Sequence, residues 1–174
     1  MGEPTVEVRE APIEQKPVLE RLAQLYLYDF SEFAGGDVGE SGLFEYMAYL
    51  GDYWREPDRF PFLIRADGKI AGFALVAPHS ALRQSGPVSW MAEFFVMRKY
   101  RRQGVGRAAA FQVFDRFPGR WEVAEITSNV GAQAFWRKVI GEYTGGRFKE
   151  TALDSDRWHG PVQSFDNSRG RRSG

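Results

Sequence analysis

Glu93-Phe94-Phe95-Val96-Met97-Arg98-Lys99-Tyr100-Arg101-Arg102-Gln103-Gly104-Val105-Gly106-Arg107 is the stretch whose reading decides the rest of the chain. Val88 to Met97 is apolar and rich in β-branched and aromatic residues, as a buried strand requires. After Gly106 the apolar residues Ala109, Ala110, Val113, Phe114 and Phe117 fall at helical spacing. The glycines are therefore expected at a helix N-terminus. There the first N–H groups have no partner within the helix, the macrodipole is positive, and glycine lets an anion approach the backbone. Arg98, Lys99, Arg101, Arg102 and Arg107 crowd positive charge onto the same turn, so its natural guest is a polyphosphate.

Three known arrangements of strand, turn and helix hold phosphates, and the residues choose among them. A P-loop needs Lys-Ser or Lys-Thr after its last glycine; here Arg107-Ala108 follows, which excludes it. Gly104-Val105-Gly106-Arg107-Ala108-Ala109 fits the dinucleotide pattern G-x-G-x-x-A, with Glu125 at about the expected 20 residues beyond. That fingerprint normally sits on a fold's first strand, whereas only residues 105–174 remain here, and it has no use for so many cations. The third form, Gln/Arg-x-x-Gly-x-Gly/Ala, is met by Arg101-Arg102-Gln103-Gly104-Val105-Gly106. It resembles the pyrophosphate-binding signature of the GNAT superfamily of N-acetyltransferases, which bind acetyl-coenzyme A.

Farther on, Asn129-Val130-Gly131-Ala132-Gln133-Ala134-Phe135-Trp136-Arg137-Lys138 resembles the second GNAT signature, an Asn followed by a helix carrying Ala and Phe-Tyr before a basic turn. The likeness covers residues 60 to 150 well, and the first sixty only in their strand-helix-helix pattern. In one departure, the Tyr that often serves the family as general acid is Trp136 here. The resemblance implies an α/β (α+β) fold with a mixed, mostly antiparallel central sheet, splayed between its two central strands and flanked by helices. The coenzyme's pantetheine would enter the splay and bond to strand backbone as a further strand would. Implied coenzyme contacts are Phe95, Val96, Arg101, Arg102, Gln103, Gly104, Val105, Gly106, Arg107, Asn129, Phe135 and Trp136. Acetyl-CoA or coenzyme A is the implied cosubstrate, without a metal. A small-molecule or peptide amine is the implied acceptor, and a homodimer is left open.

Composition bounds the remainder. With 174 residues, 43% of them hydrophobic, the chain suits one well-buried domain, expected over 1–165 with a disordered tail at 166–174. Net charge is zero, so the basic turn is local and the field of a nucleic-acid binder is missing. The absence of cysteine excludes a disulfide framework, a thiolate zinc site and a thiol nucleophile. No basic start leads into an apolar run, and no stretch approaches a membrane span. The expectation is a soluble, cytoplasmic protein with no nucleic-acid or membrane partner.

In chain order, Thr5 to Arg9 alternates as a first strand, and Val18, Leu22, Leu25, Tyr26 and Asp29 follow helical spacing after Pro17. That helix is expected to end at Phe30 to Phe33, before the turn formers Ala34 to Gly42, with a second helix from Leu43 to about Tyr53. In the GNAT fold this region walls the acceptor site. Its candidates are Tyr26, Tyr28, Asp29, Phe30, Phe33, Tyr46 and Tyr49, of which Tyr28 and Phe33 are singled out; most aromatics at such spacing are core. Phe60 to Ala66 and Lys69 to Ala77 form a hairpin about Asp67-Gly68. Pro78 to Pro87 is a loop, and its His79 reads as solvated. Trp121 to Thr127 is a strand, Asn129 to Ile140 a helix, and Glu142 to Lys149 with Pro161 to Phe165 the last hairpin arms.

An amine attacking a thioester must lose a proton, and the transition state needs support for an oxyanion. A backbone N–H near Phe95 or Val96 is the expected donor. Glu93 is the candidate base: it is the only ionisable group between Val88 and Met97, and burial would raise its pKa. The competing role is a structural carboxylate paired with an Arg or a backbone donor. An indole cannot serve as the acid, so the substitute is Tyr143, read as lying just beyond the helix, or else water or no acid at all, since a coenzyme thiolate is a fairly good leaving group. Asn129 suits the pantetheine, and capping the following helix is an equally physical use of it. Two functions follow: an N-acetyltransferase, or a GNAT-fold module that binds acyl-CoA without transferring from it.

Overall fold

The computed structural model describes residues 2–45 and 47–168. Among them are seven strands, β1 (Val6–Glu10), β2 (Phe60–Ala66), β3 (Lys69–Pro78), β4 (Val88–Val96), β5 (Arg120–Ala124), β6 (Lys149–Asp154) and β7 (His159–Asp166), in one sheet of order β1-β2-β3-β4-β5-β7-β6. Three α-helices accompany them: α1 (Lys16–Ala34), α2 (Val105–Arg116) and α3 (Val130–Thr144). The β1–β2, β5–β7 and β6–β7 pairs are antiparallel and β4–β5 is parallel, so the sheet is mixed as expected. No helix among the described residues is long and apolar enough to cross a membrane. The chain divides into two compact units, Met1–Leu75 with Glu93–Ala109, and Val76–Ala92 with Ala110–Gly174.

In the first unit, β2 and β3 turn at Asp67 (φ 47) and Gly68 (φ 74), two positive φ values in succession, which is what an Asp-Gly hairpin turn supplies. Pro17 lies in the first turn of α1, and Gly35, at φ 68, caps its end by donating to the Ser31 carbonyl. Leu19, Leu22, Ala23 and Leu27 form its buried stripe. The helix expected from Leu43 is a correction: only a 3-10 helix, Ala48–Trp54, is present. The Gln24 side chain explains the shortening. Its Oε1 accepts from the Phe44 N–H and its Nε2 donates to the Phe44 carbonyl, both at 2.9 Å, so Phe44 has its backbone partners without a helix.

The second unit is built round Phe114, whose ring meets Trp121 at 4.9 Å, Phe165 at 5.0 Å and Tyr143 at 5.1 Å. That apolar stripe carries α3 past Ile140 to Thr144, where Gly145 (φ 62) and Gly146 (φ 80) stop it. Glu142 to Thr144 are therefore helical and β6 starts only at Lys149, against the expected strand. β5 likewise ends at Ala124, short of Thr127. The Glu125 carbonyl turns to Trp158 Nε1 (3.0 Å), and the Asn129 N–H to the Ile126 carbonyl (3.1 Å). Positions 166 and 167, expected within the tail, belong to the fold. Asp166 closes β7, and Asn167 exchanges hydrogen bonds with Gly119 and donates to the Phe114 carbonyl. Residues 169–174 of that tail lie outside the described residues. The parallel register of β4 with β5 ends at Trp90↔Glu122, although β5 runs on to Ala124.

Candidate functional site

The turn after β4 has the geometry its glycines and cations call for. Gly104 lies at φ 77 and its carbonyl accepts from the Ala108 N–H, which makes it the residue that opens α2. The first N–H groups of α2, from Val105 on, have no carbonyl within the helix. Arg102 also adopts a positive φ, 60, rare for a residue with a long side chain. An anion already rests here: the Glu3 carboxylate lies against Gly104, its carbon 3.4 Å from where a Cβ would stand. Val105 is fully buried and anchors the turn, while Arg101, Arg102, Gln103 and Arg107 are exposed.

Not all the cations face outward. Arg101 donates Nε to the Val96 carbonyl (2.7 Å) and Nη2 to Asp29 (2.5 Å), and Arg98 Nε reaches the same carboxylate at 2.8 Å. Burial works to raise the Asp29 carboxyl, but the hydrogen bonds and charges of Arg101 and Arg98 outweigh it and hold the group below the usual range. Asp29 thus staples α1 to the turn, so Arg101, expected at the coenzyme, has its guanidinium engaged by α1. Gln103 Nε2 is likewise engaged with the Lys99 carbonyl (2.7 Å).

Glu93, on β4 in the same unit, is half-buried and meets no cation. Tyr26, from α1, donates to Oε2 at 2.5 Å, and Tyr49, from the 3-10 helix, donates to Oε1. Burial raises the Glu93 carboxyl above its ordinary range, and the two phenol hydrogen bonds pull against that rise. The pairing with an Arg that a structural role called for is not what holds it. Phe95, whose ring is buried, packs on Tyr26 (5.7 Å) and Phe73 (6.0 Å), leaving only its backbone for a ligand. Phe33 is half-buried against Phe30, and Tyr28 is 69% exposed on the outside of α1. The wall candidates that reach Glu93 are therefore Tyr26 and Tyr49. Tyr46 lies outside the described residues.

Trp136, Tyr143 and Asn129, expected at the site, lie in the second unit, and each has structural partners there. Trp136 is buried, 6.1 Å from Phe114 and 4.9 Å from Phe135, and serves the core. Tyr143 lies within α3, buried, with its hydroxyl donating to Asp115 (2.8 Å) and accepting from Asn167 Nδ2 (3.0 Å). The phenol is thus tied on both sides within an aromatic cluster. Asn129 caps α3, its Oδ1 accepting from the Ala132 N–H at 3.1 Å, and Phe135 is half-buried. No cluster of three His, Cys, Asp or Glu side chains able to hold a metal occurs among the described residues.

Comparison with known proteins adds a family. The profile of the Acetyltransferase (GNAT) family matches residues 19–141. Solved structures similar to this chain include an acetyltransferase from Thermus thermophilus, with a TM-score of 0.66 and 15% identity over 95% of this chain and 99% of that one. RimJ from Mycobacterium smegmatis, in complex with CoA-disulfide, gives 0.62 and 17% over 98% and 86% of the two chains. The PaiA N-acetyltransferase from Thermoplasma acidophilum, in complex with coenzyme A, gives 0.57 and 12% over 93% and 99%. Identities this low speak for the fold. No curated protein matches the sequence.

Proposed function

Because the chain belongs to the Acetyltransferase (GNAT) family, we propose that it is an N-acetyltransferase, moving an acetyl group from acetyl-CoA to the amine of a small molecule or peptide by direct attack. The observation that carries this reading is the Glu93 carboxylate, presented on β4 by two tyrosine hydroxyls and raised in pKa by burial. Bound acetyl-CoA supplies the activated thioester. The turn from Arg102 to Arg107 holds its pyrophosphate through backbone N–H groups at the start of α2, a reading supported by the first N–H groups of that helix, which have no carbonyl within it. Coenzyme in RimJ and PaiA supports the same ligand here.

Glu93 takes the proton from the acceptor amine as its nitrogen bonds to the acetyl carbon. A backbone N–H of Phe95 or Val96 donates to the carbonyl oxygen as negative charge builds there. The carbon–sulfur bond then breaks and the thiolate is protonated from solvent, since Tyr143 is tied to Asp115 and Trp136 has no acidic proton. Those same two residues favour a second reading, a module that binds the coenzyme without transferring from it.

A transfer assay over polyamines, amino acids, aminoglycosides and peptides separates the two. Glu93→Gln, which keeps the tyrosine contacts but takes no proton, should lower kcat on the order of 10²-fold, with partial recovery at high pH where the amine arrives neutral. Coenzyme affinity should hold. Turnover unchanged in this variant would remove Glu93 from the chemistry, and coenzyme binding with no turnover on any acceptor would favour the module.

A further inference from the structure

The loop between β3 and β4, which carries His79, is bound from beneath and opens a cavity of about 430 Å³. Glu122 of β5 is fully buried, and its carboxylate accepts from Ser80 Oγ (2.6 Å), the Ala81 N–H (2.8 Å), the Leu82 N–H (3.3 Å) and Gln84 Nε2 (2.7 Å). Four donors satisfy that buried charge and hold the loop in one shape. The loop's cations are then displayed on a rigid frame.

Three basic side chains line the cavity, and no carboxylate does. Arg157, from the turn between β6 and β7, donates Nη1 to the Ser80 carbonyl at 3.0 Å and its backbone N–H to Ser155 Oγ at 3.3 Å, and the other N–H groups of its guanidinium make no hydrogen bond among the described residues. Arg83 sits at φ 57 and forms a solvent-exposed ion pair with Asp156 at 3.6 Å, longer than a hydrogen bond, which an anion in the cavity would have to displace. A long side chain held in the left-handed region signals a conformation imposed by its surroundings. His79 stands edge-on to Trp90 at 4.9 Å, and neither ring nitrogen has a hydrogen-bond partner among the described residues. The volume lies in the range of small-molecule sites.

We propose that this cavity is an anion site that takes the carboxylate or phosphate group of a small molecule between Arg83, Arg157 and His79. A planar guanidinium offers paired donors to either oxyanion, and a site with no lining carboxylate opposes neither. The site stands within the second unit and does not depend on the acetyl-transfer reading.

The test uses the full chain at constant ionic strength, with malonate and inorganic phosphate as separate probes. Amide chemical shifts of residues 79–86 and 157 are followed, with fluorescence of the Trp90–Trp158 pair, whose rings are 5.7 Å apart, as a second readout. At least one probe should saturate with a Kd in the millimolar range or tighter. Arg157→Gln should weaken it about tenfold or more, as loss of a charge-assisted contact implies. Arg83→Asn, which keeps a residue tolerant of positive φ, should do the same. Arg9→Gln, on exposed β1, should leave it unchanged. Malonate alone saturating points to a carboxylate ligand, and phosphate alone to a phosphorylated one. Shifts that drift without saturating, or that respond equally in Arg9→Gln and Arg157→Gln, overturn the proposal.

Discussion

Burial on β4 sets the direction of the Glu93 shift, and Tyr26 and Tyr49 temper it. Each phenol hydrogen bond favours the ionised carboxylate and so lowers a pKa that burial raises. In Tyr49→Phe one of these bonds is gone and the Glu93 pKa must rise further. A base works only when deprotonated, so the acidic limb of kcat/KM should move to higher pH, with the plateau reached later. A limb that stays in place in this variant would mean that some other group titrates there. Glu93 was legible in the sequence because a lone carboxylate interrupts an apolar run. Its partners were not: aromatic residues at helical spacing look alike whether they face a core or a carboxylate. Tyr26 and Tyr28, two residues apart, point roughly 200° away from each other on a helix. Choosing Tyr28 over Tyr26 therefore selected the exposed face.

At the scale of elements, the turn after β4 and the strand beside it rest on two glycines for different reasons. Gly104 needs its positive φ, which a side chain with a branched Cβ resists; the space itself is open, with the Glu3 carboxylate only at ordinary contact. Gly104→Val should weaken coenzyme binding by about tenfold or more, read by calorimetric titration, while the circular dichroism spectrum keeps its folded form. Parent-like affinity would place the phosphates elsewhere. Gly72 of β3 is a matter of space: an added Cβ would stand 1.8 Å from the Phe95 carbonyl oxygen, so the strands would have to part. Gly72→Ala should cost about 3 kcal/mol, seen as a lower urea midpoint with the same slope. A midpoint equal to the parent's would show that β4 yields freely. The turn was legible because glycine, cations and helical spacing coincide in one stretch. Gly72 was not, since what it accommodates is a carbonyl on a strand far along the chain. The helix misread at Leu43 failed for the same reason, because Gln24 supplies the partners of Phe44 from another element.

For the whole molecule, formal charge balances to zero, yet two carboxylates sit in places that resist ionisation. Glu125, the acidic residue a dinucleotide fingerprint would have sent to a ribose, is buried instead, and neither of its oxygens makes a hydrogen bond of ordinary geometry. Burial is the chief cause that pushes its carboxyl up to about 8; the Gln163 amide opposes the rise, Glu150 adds to it and Arg137 opposes it. In the unfolded chain the same group titrates near its ordinary value of about 4.3. Between those two pH values the unfolded chain has released a proton that the folded chain keeps. The folded state binds more protons, and stability must fall as pH rises, by up to about 1.4 kcal/mol per pH unit from this group. Glu125→Gln stays neutral throughout and removes that slope. Below about pH 4 the two proteins should melt most nearly alike, and from about pH 5 towards pH 8 the variant should gain on the parent by several degrees in Tm, the equivalent of a few kcal/mol. Scanning calorimetry at about pH 5, 6, 7 and 8 reads the trend across the window between the two pKa values. A gap between variant and parent that stays constant across that range would mean that Glu125 ionises in the folded protein at its ordinary pH.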